Sequence, residues 1–217
     1  MSVSLKPSLP VTPVPRHPEA GRRSIPARLR DCPLKPYAGQ AMAYFNHAID
    51  GVTLDLLHLE PRSLTLFVNK IGRDLAIDVR FSNHCFTVKF EEGRHDPRHL
   101  IWDHKHRRAY DPERHELSRQ LPAIVDKLSN VAVYMTPTDR NYVYLANVTT
   151  EDGRHYPMYF NLRRAPSDHE HHLVMVVESA YPVGTRQQVL AGTTKINFPI
   201  LCAKVYRGER VRPQARR

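Results

Sequence analysis

Glu151-Asp152-Gly153-Arg154-His155-Tyr156-Pro157-Met158-Tyr159-Phe160-Asn161-Leu162-Arg163 is the stretch on which the fold turns. Asp-Gly tolerates the positive φ angles of a tight hairpin turn. The residues after it alternate, with Tyr156, Met158, Phe160 and Leu162 on one face and Tyr159, Asn161 and Arg163 on the other. A period of two marks a half-buried strand. Outward from here, 131–136 and 142–150 read as preceding strands and 171–180 and 196–206 as following ones. Residues 173–177 are apolar on both faces and are expected in the middle of the sheet.

The same reading extends upstream. Leu75, Ile77, Val79 and Phe81 alternate with Ala76, Asp78 and Arg80, Ser82-Asn83-His84 reads as a turn, and Phe86, Val88 and Phe90 resume the alternation, which predicts a hairpin. Residues 52–59 and 64–68 read as strands separated by Glu60-Pro61-Arg62, and 41–49 as a short helix. Asp111-Pro112-Glu113 has the order of an N-cap, a first-turn proline and a first-turn acid, followed by Leu117, Leu121, Ile124, Val125 and Leu128 at helical spacing. Pro122 interrupts that pattern, and an interior proline costs a helix about 3 kcal/mol. Two short helical pieces are expected, the second over 122–129. The fold class is therefore α+β, with antiparallel sheets built from hairpins and few short helices. The nine glycines form no phosphate-cradling loop.

With 217 residues, 41% of them apolar, the chain can bury a core without a disulfide or metal staple. Its net charge of +10 is unevenly placed. Residues 1–36 carry seven basic and two acidic residues, 207–217 carry five and one, and 37–206 carry twenty and nineteen. Eight of the eighteen prolines also fall in 1–36, a density that suits an extended arm. The expected organisation is a Pro/Arg-rich flexible arm at 1–36, a body at 37–206 built as one unit or as two sub-domains, 37–110 and 111–206, and a basic tail at 207–217. Arginine-rich ends such as Arg22 and Arg23 either grip phosphate non-specifically or keep the chain in solution. Cys32, Cys85 and Cys202 are too few for a disulfide framework, and with neither a signal-peptide core nor a membrane span in view the expected compartment is the cytoplasm.

Candidate chemistry concentrates in two places. Residues 94–116 hold His95, His99, His104, His106 and His115 around Trp102, the only tryptophan. Pro97 stands between His95 and His99, which works against a two-histidine helical face, so the region reads as a solvated basic loop and no metal or other cofactor is expected. Cys85 beside His84 is a lesser candidate of the same kind and reads as packing, with a zinc-dependent site within 84–115 as the third functional alternative. Gly-x-Ser-x-Gly is absent, so nothing marks a serine nucleophile. The second place is the polar face of the C-terminal sheet, with Arg140, Tyr144, His155, Tyr159, Arg163 and Ser179 as candidate catalytic residues and Arg107, Arg108 and Tyr181 beside the tails as nucleic-acid contacts. Arginine supplies a fixed fork for phosphate, tyrosine a phenol that stacks or bonds, and histidine a proton carrier near neutrality. Metal-independent RNA cleavage needs these groups, because the 2′-hydroxyl is itself the nucleophile.

Arg140-Asn141-Tyr142-Val143-Tyr144, Tyr156-Pro157-Met158-Tyr159-Phe160 and Glu178-Ser179-Ala180-Tyr181 resemble stretches of uncharacterised bacterial proteins of similar length. Over 112–182 the order of a helix and four antiparallel strands, with basic and aromatic residues on one face, resembles the barnase, EndoU and RelE-like group of small RNases. That resemblance implies RNA as substrate and transfers no catalytic set residue for residue. The expected function is an intracellular protein that contacts RNA or other nucleic acid through its C-terminal sheet, in its stronger form a metal-independent RNase. The alternative is a non-enzymatic scaffold that presents its hairpins to a protein partner. No membrane partner is expected.

Overall fold

The computed structural model describes residues 45–104, 106–136, 141–150, 153–209 and 211. In chain order the elements are β1 (Ala48–Ile49), β2 (Val52–Thr53), β3 (Arg62–Val68), β4 (Arg73–Phe81), β5 (Thr87–Lys89), β6 (Leu100–Asp103), β7 (His106–Tyr110), α1 (Pro112–Ser118), α2 (Leu121–Asp126), β8 (Ala132–Met135), β9 (Asn141–Thr149), β10 (His155–Arg164), β11 (Leu173–Ala180), α3 (Arg186–Leu190), β12 (Thr194–Asn197) and α4 (Phe198–Tyr206). Short 3-10 turns lie at Leu57–Leu59, Asn83–Cys85, Pro97–His99 and Lys127–Asn130. One sheet has seven strands in the order β12-β8-β9-β10-β11-β4-β3, a second has three in the order β5-β7-β6, and β1-β2 is a small ribbon. The class is α+β.

The alternating residues build the core. Leu64, Leu66 and Val68 of β3, Leu75, Ile77, Val79 and Phe81 of β4, Tyr156, Met158, Phe160 and Leu162 of β10, and Leu173, Met175 and Val177 of β11 belong to one buried cluster. Leu121, Ile124 and Val125 of α2 and Phe198, Leu201 and Cys202 of α4 join the same cluster. Each large apolar side chain taken from water contributes about 1.5–3 kcal/mol, so this face holds the helices to the sheet. β11 lies inside the sheet, between β10 and β4, as its doubly apolar sequence requires.

The two helical pieces around Pro122 form as expected. Asp111 caps α1 by accepting from the Arg114 amide at 2.9 Å, and Pro122 sits in the first turn of α2, where its missing N–H costs nothing. The turn before β10 also forms: the Gly153 amide donates to the Thr150 carbonyl at 2.9 Å with Gly153 at φ +83°.

Elsewhere the structure departs from the expectation. Residues 196–206 are not a strand: β12 ends at Asn197 and α4 follows. Phe198, Leu201, Cys202 and Val205 recur at helical spacing, and Pro199 fits the first turn of a helix but would break a ladder. Residues 52–59 contain only the two-residue β2 before the Leu57–Leu59 turn, which buries Leu56 and Leu59 three positions apart instead of two. Of the helix expected at 41–49 only 45–49 is described, and it ends in β1. The 75–90 hairpin does not form either. Ser82 caps the Asn83–Cys85 turn by accepting from the His84 amide, consecutive Cys85 and Phe86 are buried, and β5 leaves to pair with β7. β4 pairs with β3 and, in parallel, with β11. Residues 94–116, read as a solvated loop, contain the β6–β7 hairpin, because Ile101 and Ala109 are buried and His104 takes a positive φ of 51° at its turn.

Candidate functional site

β10 and β11 run antiparallel with Tyr159 opposite Ser179, and one step on Phe160 lies opposite Val177. Glu178 is therefore the extra residue of a β-bulge, a device that re-aims side chains next to it. Tyr181 follows the end of β11, and its ring stacks on that of Tyr159 at 5.4 Å between centroids and 16° between planes. Burial foremost, then the Tyr181 hydroxyl to which it hydrogen-bonds, raises the Tyr159 phenol above its ordinary pKa. Tyr159 is a neutral stacking and bonding group at any ordinary pH.

Arg114 stands over this pair. Capping by Asp111 places it in the first turn of α1, from which its guanidinium lies 5.0 Å from the Tyr181 ring centroid. Arg114 Nη1 donates to the carbonyls of Thr87, at 3.0 Å, and His84, at 3.2 Å. Arg108 of β7 reaches the same Thr87 carbonyl with Nη2 at 3.0 Å and the Thr87 hydroxyl with Nε at 2.7 Å. Two guanidiniums thus converge on one neutral oxygen. Among the described residues neither has a carboxylate within 4.0 Å. Burial first, then repulsion from Arg114, lowers the Arg108 pKa, with a smaller opposing effect from Asp103. Paired, half-desolvated cations of this kind are stabilised by an anion between them.

The groups around the pair can move protons. His84 Nε2 lies 3.1 Å from Asp103 Oδ2. Burial and then Arg108 lower the His84 pKa, against the raising effect of the Asp103 hydrogen bond, so the ring favours the neutral form. Glu178 has its pKa raised by burial. One group is biased toward accepting a proton and the other toward keeping one, the separation that acid–base pairs use. Cys85, next to His84, donates its thiol to the Val177 carbonyl at 3.8 Å, and burial pushes its pKa up to about 12. It is a packing residue.

Of the residues expected from sequence, the structure brings Tyr159, Ser179, Tyr181 and Arg108 to this region. Arg163 lies four residues along β10 from Tyr159, about 13 Å away at strand rise, exposed and opposite Val174. His155 lies four residues the other way, its backbone bridged to Val183 by bonds of 2.9 and 2.8 Å. Tyr144 pairs in the backbone with Met158, not with Tyr159. Arg107 turns to the opposite face of its sheet, over the Phe90 ring at 5.1 Å. Arg22, Arg23 and Arg140 lie outside the described residues. Asp103, Arg114 and Glu178 are residues of this region that no sequence pattern singles out for chemistry, and among the candidate groups His84 enters the sequence reading only beside Cys85, as a minor metal candidate. The Asp111 cap was the legible signal for Arg114, since it fixes the turn of α1 that carries it, but not the strand that turn faces.

Two other polar clusters are closed. Ser118, fully buried, donates to the His115 carbonyl at 2.6 Å and, having one proton, accepts from His58 Nε2 at 2.7 Å. Its proton is committed, so it is no nucleophile. On the outer face of the large sheet Asp78, 7% exposed, receives Arg80 Nε at 2.8 Å and Nη2 at 2.7 Å, with His169 Nε2 at 3.5 Å. His171 Nε2 meets Ser63 Oγ at 3.1 Å. Around 95–99, His95 Nδ1 accepts from the Glu91 amide and His99 lies 3.7 Å from Asp50. Among the described residues no three His, Cys, Asp or Glu side chains are grouped to hold a metal ion, and no helix is long and apolar enough to cross a membrane.

No curated protein and no solved structure matches the chain. The family model of the YjaZ family matches residues 45–206, from the residues before β1 to the last residue of α4, and the chain belongs to the YjaZ family.

Proposed function

We propose that this protein binds RNA at the junction of β11, β7 and α1, with phosphate held between Arg108 and Arg114 and a base laid against the Tyr159–Tyr181 pair. The observation that carries the reading is the convergence of two guanidiniums on the Thr87 carbonyl with no carboxylate at ion-pair distance among the described residues. A phosphodiester supplies the missing negative charge, and its attached base supplies a partner for the aromatic rings. His84 and Glu178 extend the reading to metal-independent cleavage. There His84 takes the proton of the 2′-hydroxyl, whose oxygen bonds to phosphorus as the bond to the 5′-oxygen breaks. That oxygen leaves with a proton from the Glu178 carboxyl. The product is a 2′,3′-cyclic phosphate and a free 5′-hydroxyl.

Incubating the purified chain with single-stranded RNA in EDTA tests both levels. Cleavage that EDTA leaves intact, ending in cyclic phosphate, supports the full reading. Binding without cleavage reduces it to RNA contact, and intact RNA with no binding at low salt sinks it.

A second reading, a protein-interaction surface, is favoured by β3. This seven-residue edge strand exposes Phe67 on its outer face, where a partner strand can add. A stable protein partner recovered free of nucleic acid and lost on Phe67→Lys would favour it.

A further inference from the structure

We infer that Trp102 and Arg107 form a second contact for the same polymer, a platform on which one unpaired base of single-stranded RNA stacks. The inference rests on the RNA reading above and concerns a different face of the molecule. Trp102 is 60% exposed, on β6, the edge strand of the three-stranded sheet. Its cross-strand partner is Arg107, close enough for the two side chains to act together. Arg107 already lies over one aromatic ring, Phe90. Its carboxylate partner Glu92 is 76% exposed, so the pair is weak and open to replacement by a phosphate.

The occupant is indicated by charge. Arg107 lies across the hairpin from Trp102, with His104 at the turn and His106 and Arg108 on the same strand as Arg107, and Asp103, the acid within the hairpin, is engaged by His84. A flat exposed ring with an arginine across the strand from it, on a hairpin rich in basic residues, fits a polyanion that carries flat rings. Neighbouring residues on a strand point to opposite faces, so Trp102 lies on one side of β6 while Asp103 and the Arg108 site lie on the other. A single strand passing around this edge meets both. Bases in a duplex are already stacked and cannot be offered to the ring, so the platform selects unpaired RNA and reads little sequence.

Trp102 is the only tryptophan, so its emission reports directly on the full chain. An oligouridylate of about a dozen nucleotides should quench it to a plateau, with the midpoint at which the anisotropy of the labelled oligomer rises. Inorganic polyphosphate, which offers charge without rings, should leave the emission nearly unchanged. Trp102→Leu should weaken oligouridylate binding about ten-fold and Trp102→Phe about two-fold. Binding seen by anisotropy with unchanged emission and an unaffected Leu variant would overturn the inference while the RNA reading stands. Equal quenching by polyphosphate would overturn it too. No anisotropy change at all removes both.

Discussion

The Asp78 cluster and the Arg108–Arg114 pair use the same residue types and differ in charge balance. Asp78 is nearly buried and receives both Arg80 and His169, so desolvated charge is cancelled inside the protein. Arg108 and Arg114 meet on a carbonyl that carries no formal charge. The first cluster fastens the loop between β10 and β11 to β4; the second, among the described residues, has no carboxylate at ion-pair distance. Composition does not separate a charge-balanced cluster from an unbalanced one here. Whether the counter-charge lies within reach does.

The largest effect is expected where charge is balanced. Asp78→Ala removes the nearly buried carboxylate that Arg80 and His169 meet and should cost about 3 kcal/mol, read as a lower urea midpoint, with RNA affinity of the folded protein unchanged. Arg108→Gln removes one of two repelling cations, so stability should change by less than about 1 kcal/mol. RNA binding should weaken about ten-fold, and the slope of affinity against salt should fall by about one. An Arg108 variant as unstable as Asp78→Ala, with unaltered RNA binding, would erase the distinction between the clusters.

The closed Ser118 cluster sharpens the comparison through pH. Burial first and then His115 hold His58 at about 4, below its ordinary 6.5. The folded-state value is the lower one, so the unfolded chain takes the proton first as pH falls. Stability is full above about pH 6.5 and is lost toward pH 4, by about 1–2 kcal/mol after allowance for partial exposure. His58→Gln keeps a donor for Ser118 and should flatten that part of a melting-temperature profile. The smallest effect is expected at Tyr159→Phe, which removes a hydroxyl bonded to Tyr181 and should cost about 0.5–1 kcal/mol by urea unfolding with stacking retained.

Much of the fold was legible, because alternation and caps are local. β3, β4, β8, β9, β10 and β11 lie where a period of two places them, and α1 begins where Asp111-Pro112 announces it. The errors fell where two periods compete. Residues 198–206 are apolar enough for either element, and Pro199 with the spacing of Phe198, Leu201, Cys202 and Val205 argued for the helix. The departure of β5 from β4 was illegible because strand partners are chosen by the whole core: β4 finds β11, far away in sequence, in parallel. The site divides the same way. Tyr159, Ser179 and Tyr181 follow from one strand pattern and its register, whereas Arg114, His84 and Asp103 come from a helix, a 3-10 turn and a second sheet.

By itself, the sequence determined the α+β class, the inward faces of the main strands and the starts of α1 and α2, since a side chain's face follows from its position within its own element. The tertiary structure alone decided that Arg108 and Arg114 share the Thr87 carbonyl while Arg80 finds Asp78. Electrostatic partnership acts over a few ångströms between segments that the chain separates by tens of residues. That distance is set only when the sheets pack.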